Sequence, residues 1–188
     1  MTKLSDFNDS EIWLLFKRGE DRAISYIYSN YFPNLYRYGL KFKVDNSLIE
    51  DTIQDLFAEL IKNRETLGET DNILFYLLKS FRRKLFRKMA STNRYDLTGE
   101  ITDNYPFEVV WSAEHDLIVE EESGQRSTML LKALSELTPR QKEAVYLRFT
   151  KELDYTAIAE IMNISVEACR NLISKAIFNI KKRVNGKD

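Results

Sequence analysis

Between Ala159 and Ala176 the sequence reads AEIMNISVEACRNLISKA. Apolar residues recur at helical spacing on both sides of Asn163-Ile164-Ser165, yet that tripeptide interrupts the pattern. This interruption constrains the fold more than any other feature. A kinked helix would stay in one core, whereas two helices joined by a turn would present the second to the outside. Asn is second only to Gly at a left-handed helix stop, because its short amide bonds locally. Ser165 is suited to cap a following helix, and Asp154 to cap the preceding one. On a helical wheel, Val166, Cys169, Leu172, Ile173, Ala176, Ile177 and Ile180 share one side of residues 166–180. Glu167, Arg170, Asn171, Ser174, Lys175 and Phe178 occupy the other, with Arg170 near the boundary. Small Ala159 suits a close helix crossing. Together these residues describe a helix-turn-helix, whose second helix enters a major groove with its N-terminal side chains at base edges. Arg170 and Lys175 suit guanine or phosphate, and Asn171 suits adenine. A helical hairpin buried against its own domain is the alternative that the pattern leaves open.

The rest of the chain also reads as helix. There are six Gly and three Pro in 188 residues, too few turn formers for many short strands. The expected fold is all-α, with two small helical domains joined by an acidic linker: residues 1–91, linker 92–122, and residues 123–188. Within the first domain, Asn46 or Ser47 can cap a helix running to about Ile61, and Asp71 or Asn72 one running to about Met89. In the second, Thr138-Pro139-Arg140-Gln141 is a strong start signal, with Thr as N-cap, Pro at the first helical position and Gln to close a capping box.

Net charge is −1, but this is a cancellation. Residues 74–94 hold seven Lys/Arg and no acid, residues 95–123 hold nine Asp/Glu and no Lys/Arg, and residues 170–187 hold six Lys/Arg and no acid. Two basic segments around an acidic one suit a nucleic-acid partner, although ordinary solvated helix faces give similar runs.

In the first basic segment Leu74, Leu77, Leu78, Phe81 and Leu85 form a core stripe. The opposite face interleaves Phe75, Lys79, Arg82, Arg83, Phe86 and Arg87. Basic residues alternating with aromatics suit a surface that tracks phosphates and stacks unpaired bases. The competing reading is a surface helix whose cationic stems cover the two Phe rings. In the preceding helix Ile49, Ile53, Leu56 and Leu60 make the core stripe, while Phe57 and Ile61 fall off it toward Asp51, Gln54 and Ala58. That arrangement is either a docking shelf for a basic partner helix or packing beneath a neighbouring helix.

At this point the residues resemble a family. The stretch LSELTPRQKEAVYLRFTKELDYTAIAEIMNISVEACRNLISKAIFNIKKRV is similar to region 4 of sigma-70 family transcription initiation factors, through Leu137, Pro139, Arg140, Gln141, Leu147, Arg148, Phe149, Ile158, Ala159 and Ile164. A similar stretch ends bacterial response regulators. The earlier segment EDTIQDLFAELIKNRETL, followed by FYLLKSFRRKLFRKM, resembles region 2 of the same family, with its signature at Asp51, Gln54, Asp55 and Phe57. Region 2, a short linker and region 4, with no room for other regions, resembles the extracytoplasmic-function (ECF) group.

The resemblance implies a non-enzymatic, cytoplasmic factor that binds core RNA polymerase (β′ clamp and β flap) and promoter DNA, with an anti-sigma factor as a further partner. It implies polymerase contacts at Asp51, Gln54, Asp55, Phe57 and Ile61. It implies −10 contacts at Phe75, Lys79, Arg82, Arg83, Phe86 and Arg87, and −35 contacts at Ser165, Glu167, Arg170, Asn171, Ser174 and Lys175. Many relatives carry Asn at the position of Arg83, Asp at that of Arg87 and Trp at that of Ile61. Phosphate contact is therefore the role implied for the two Arg residues. The rival in another class is a regulator that reads duplex DNA without polymerase.

No metal-ligand cluster, phosphate loop or catalytic triad stands out in the sequence, so neither an enzyme nor a cofactor is expected. His115 sits in the acidic linker and reads as solvated or structural. The single Cys169 reads as a small buried residue, and one cysteine supports no internal disulfide. The longest apolar runs fall far short of the ~20 residues that cross a bilayer, so no membrane insertion is expected. The N-terminus lacks signal-peptide character, which gives the expectation of a cytosolic protein.

Overall fold

The computed structural model describes residues 4–91, 105–109 and 121–184. Eight α-helices lie within them: α1 Asp9–Lys17, α2 Asp21–Gly39, α3 Asn46–Lys62, α4 Ile73–Ser91, α5 Glu121–Ser135, α6 Pro139–Val145, α7 Tyr155–Met162 and α8 Val166–Val184. There is no strand among the described residues, so the all-α expectation holds. The chain divides into two compact units, Met1–Gly99 and Glu100–Asp188.

In the first unit α1 starts with a capping box: Glu11 N–H donates to Asn8 Oδ1 (3.0 Å) and Asn8 N–H to Glu11 Oε2 (2.9 Å). Helix α3 starts at Asn46 with Asp45 at the cap position and no side-chain cap bond, so neither Asn46 nor Ser47 caps it. Helix α4 is capped twice. Phe75 N–H donates to Asn72 Oδ1 (2.9 Å), as the sequence suggests. Ile73 N–H donates to Asp9 Oδ2 (2.7 Å), a partner supplied from α1. The indole of Trp13 donates to Gly68 O (2.8 Å) and ties the α3–α4 connection to α1.

The core between these helices holds Trp13, Phe16, Ile27, Leu35, Tyr38, Phe42, Ile49, Ile53, Leu77 and Phe81, all sealed from solvent. Gly39 closes α2 where a Cβ would stand 2.6 Å from Ile49 Cγ2 and 3.1 Å from Phe81 Cζ. The missing side chain lets α2 approach α3 and α4.

In the second unit Thr138 and Gln141 form the expected capping box, with Pro139 at the first position of α6. Helix α6 runs into a π-helical turn, Tyr146–Thr150. Leu134, Leu137, Val145 and Ala176 pack together, with Ile180 against them. Residues 105–109, inside the stretch read as a linker, pack on this unit. Tyr105 and Phe107 are buried, the Tyr105 hydroxyl donates to buried Glu143 Oε2, and the Phe107 ring meets Tyr146 at 6.0 Å. The rest of that stretch, including His115, lies outside the described residues except for the start of α5.

Candidate functional site

The turn between α7 and α8 is built by local hydrogen bonds. Asp154 accepts from Ala157 N–H (2.7 Å) and starts α7. Asn163 takes the left-handed conformation (φ 54°, ψ 52°). Ile164 N–H then donates back to Ala159 O (2.9 Å) and Asn163 N–H to Glu160 O (3.4 Å), so the last carbonyls of α7 are satisfied. Ser165 Oγ accepts from Ala168 N–H (3.0 Å) and starts α8. The interruption is therefore a turn between two helices.

Ile158, Ala159, Cys169, Ile173 and Ala176 form the buried contact between α7, α8 and the rest of the unit. Burial pushes the Cys169 thiol up, opposed in part by the charge of Arg148. The outer face of α8 carries Glu167, Arg170, Asn171, Ser174 and Lys175, exposed as the wheel places them, with Ser165 exposed at its start. Phe178, on the same face, is 66% exposed.

Sequence reasoning missed one arrangement beside this face. The ring of Tyr155 at the start of α7 lies under two guanidinium groups, with Arg148 Cζ 5.0 Å and Arg170 Cζ 5.8 Å from its centre. The Arg-Tyr spacing in sequence carries no signal for this, because Arg170 arrives from the next helix.

In the first unit the structure corrects part of the expected surface. On α4, Lys79, Arg83 and Arg87 are exposed and Phe75 is half-buried, with Lys79 Nζ 5.6 Å from its ring centre. Arg82 and Phe86 are only 2% and 5% exposed. They do not belong to the open face. The Arg82 guanidinium lies 4.4 Å from the centre of the Phe86 ring, which meets Phe42 edge-on at 5.5 Å. The wheel reading treated α4 as having one buried stripe, but the α2 end packs beside it and widens the buried arc.

On α3, Asp51, Gln54 and Asp55 are exposed, and Ile61 is 36% exposed. Phe57 is 3% exposed and sits edge-on to Tyr28 of α2 at 4.9 Å. It supports the shelf from below and is not part of its surface. Two ion pairs join α3 to α4: Lys88 Nζ to Asp55 Oδ2 (2.6 Å) and Lys84 Nζ to Glu59 Oε2 (2.5 Å). The hydrogen bonds from Lys88 and Lys84 hold these two carboxyls below their usual range.

No helix among the described residues is long and apolar enough to cross a membrane. No group of three or more His, Cys, Asp or Glu among them is placed to hold a metal ion.

A helical unit ending in a capped helix-turn-helix with a polar and basic outer face defines a DNA-binding protein of the helix-turn-helix class. Residues 127–177 match the family model described as Sigma-70, region 4. The ECF RNA polymerase sigma factor SigM of Bacillus subtilis (strain 168) is 27% identical over 167 residues, covering 87% of this chain and 96% of that protein. Two solved structures share the fold over nearly their whole lengths. CnrH, in complex with the cytosolic domain of CnrY, aligns with a TM-score of 0.59 at 13% identity, covering 96% of this chain and 99% of CnrH. The sigma factor RpoE of Bartonella quintana, in complex with the anti-sigma factor NepR, aligns with a TM-score of 0.55 at 16% identity, covering 86% and 96%. The matched segment and the likeness to SigM over most of its length make the chain similar to the ECF group of the sigma-70 family of RNA polymerase sigma factors. Proteins of this family are transcription initiation factors and not enzymes.

Proposed function

We propose that this chain directs promoter-specific initiation as a dissociable specificity subunit of RNA polymerase in the cytoplasm. Residues 1–91 act as the polymerase- and −10-binding domain, 92–122 as the linker, and 123–188 as the −35-binding domain. Asp51, Gln54, Asp55 and Ile61 present the docking surface of α3 to the polymerase β′ clamp, with Phe57 holding the helix against α2. Phe75, Lys79, Arg83 and Arg87 of α4, with the connection before it, hold unpaired −10 DNA and neighbouring phosphates. Extruding a base costs a few kcal/mol, which stacking and phosphate contacts must offset. Arg82 and Phe86 hold the shape of that helix from within.

The second unit reads the −35 element with α8 and meets the β flap. The observation that carries this reading is the outer face of α8. Glu167, Arg170, Asn171, Ser174 and Lys175 are all exposed over a sealed Cys169–Ile173–Ala176 ridge, directly after a capped turn. Such a face presents donors and acceptors to a major groove without disturbing the core.

Both structural relatives were solved with a bound partner, the cytosolic domain of CnrY for CnrH and the anti-sigma factor NepR for RpoE. An anti-sigma factor is accordingly the regulatory partner proposed here. The test is in vitro transcription by core RNA polymerase on a genomic library, with and without the chain. Promoter-specific start sites that depend on the chain are the expected result. The alternative is a regulator that needs no polymerase. It predicts tight binding to a duplex site by the chain alone and no effect of Asp51 or Asp55 substitutions.

A further inference from the structure

We propose that Tyr155 is a positioning residue for DNA binding, and that Arg170, held over its ring, grips a phosphate and does not read a base edge. The inference rests on the reading of α8 as the −35 helix. Three side chains form a series from the interior outward: Arg148 and Tyr155 are half-buried and Arg170 is exposed. Arg148 is the fixed end. Its Nη1 donates to Leu153 O (2.8 Å), which locks it to the connection just before α7. Its guanidinium lies over the Tyr155 ring at 5.0 Å, and Arg170 approaches the same ring at 5.8 Å. Both distances lie within the ~6 Å over which an aromatic quadrupole attracts a guanidinium.

An Arg over a ring keeps its N–H donors at the edge of its plane, where they match the oxygens of a phosphate. Position on α8 decides between phosphate and base. Glu167, Asn171 and Ser174 fall near the middle of the exposed face, while Arg170 falls at its boundary, next to half-buried Val166 and Ile177. A side chain at that boundary, leaning back on the start of α7, meets the wall of a groove and not its floor. Two guanidinium groups sharing one ring also concentrate positive charge where α7 and α8 come together. A backbone phosphate satisfies that charge, and gripping it adds affinity while base preference stays with Asn171, Ser174 and Lys175.

The test uses the full chain reconstituted with core RNA polymerase and a duplex pool randomised across the −35 element. Bound sequences are read by sequencing, and affinity is followed through a salt titration. Arg170→Ala is expected to weaken binding about tenfold. It lowers the slope of log affinity against log salt by about 0.9 and leaves the selected sequence unchanged at every position. Tyr155→Leu moves affinity in the same direction by roughly two- to fivefold, while Tyr155→Phe, which keeps the ring, binds like the unaltered chain. Tyr155→Leu adds nothing to Arg170→Ala.

Loss of preference at one base pair in Arg170→Ala overturns the phosphate assignment. Unaltered affinity in Tyr155→Leu overturns the positioning role. So does an equal loss from Tyr155→Leu with and without Arg170, which is how a simple folding defect behaves. If the unaltered chain selects no sequence at all, it is the reading of α8 as a promoter reader that fails.

Discussion

Lys88 Nζ on α4 stands 2.6 Å from Asp55 Oδ2 on α3, so the helix proposed to bind DNA is tied to the helix proposed to bind polymerase. One turn earlier on α4, Lys84 makes the matching contact with Glu59, one turn further along α3, at 2.5 Å. These pairs neutralise part of the basic surface of α4 and leave Arg83 and Arg87 facing outward.

The two carboxyls are held below their usual range in the folded chain. The stability they contribute is therefore present above their unfolded values and is lost as pH falls through the lower folded values. Both are more than half exposed, so screening keeps each pair at about 1 kcal/mol or less. Asp55→Asn should lower the urea midpoint slightly at pH 7, and the difference from the unaltered chain should shrink toward pH 3. On the proposed function the same change weakens binding to core polymerase by more than it alters folding.

Arg82 and Arg87 are both arginines of α4, but their surroundings separate their effects. Arg87→Ala should leave thermal unfolding nearly unchanged, within about 0.5 kcal/mol. It should reduce the salt slope of binding to a single-stranded oligonucleotide by about 0.7. Arg82→Ala removes a side chain packed over Phe86 and should destabilise the first unit by about 1–3 kcal/mol. Its salt slope, measured on the folded fraction, should stay at the unaltered value. The reverse pattern would place Arg82 on the DNA-facing surface.

Asn163 carries the left-handed turn. Asn163→Gly should be neutral or slightly stabilising, since Gly adopts this conformation without steric cost. Asn163→Val forces a β-branched side chain into it and should cost about 1–2 kcal/mol in urea unfolding of the second unit. Affinity for a −35 duplex in the polymerase complex should fall with it, because the turn aims α8.

Tyr105→Phe removes the hydroxyl that donates to Glu143, a carboxylate sealed from solvent. A buried acceptor that loses a partner costs about 1–3 kcal/mol. Chemical denaturation followed by a fluorescent probe in the second unit should report that loss. If stability is unchanged, the Tyr105–Phe107 strap does not contribute to the fold of this unit.

The features legible in the sequence were those closed within one helical turn. Thr138 with Gln141, Asp154 with Ala157, Ser165 with Ala168 and the left-handed Asn163 all bond to backbone or side chains three to five residues away, so residue type and spacing suffice to place them. The buried ridge of α8 was likewise legible, because helical periodicity alone sorts Cys169, Ile173 and Ala176 from Arg170, Asn171 and Ser174. Tertiary structure decided what lies against each face. Phe57 is buried because Tyr28 of α2 covers it, and Phe86 because Phe42 does. Asp9 caps α4 from a distance of 64 residues, and Tyr105 reaches Glu143 across 38. A helical wheel records which side chains share a direction along one helix. Whether that direction meets solvent, a ring or a carboxylate depends on where the other helices pack, and no local spacing encodes that.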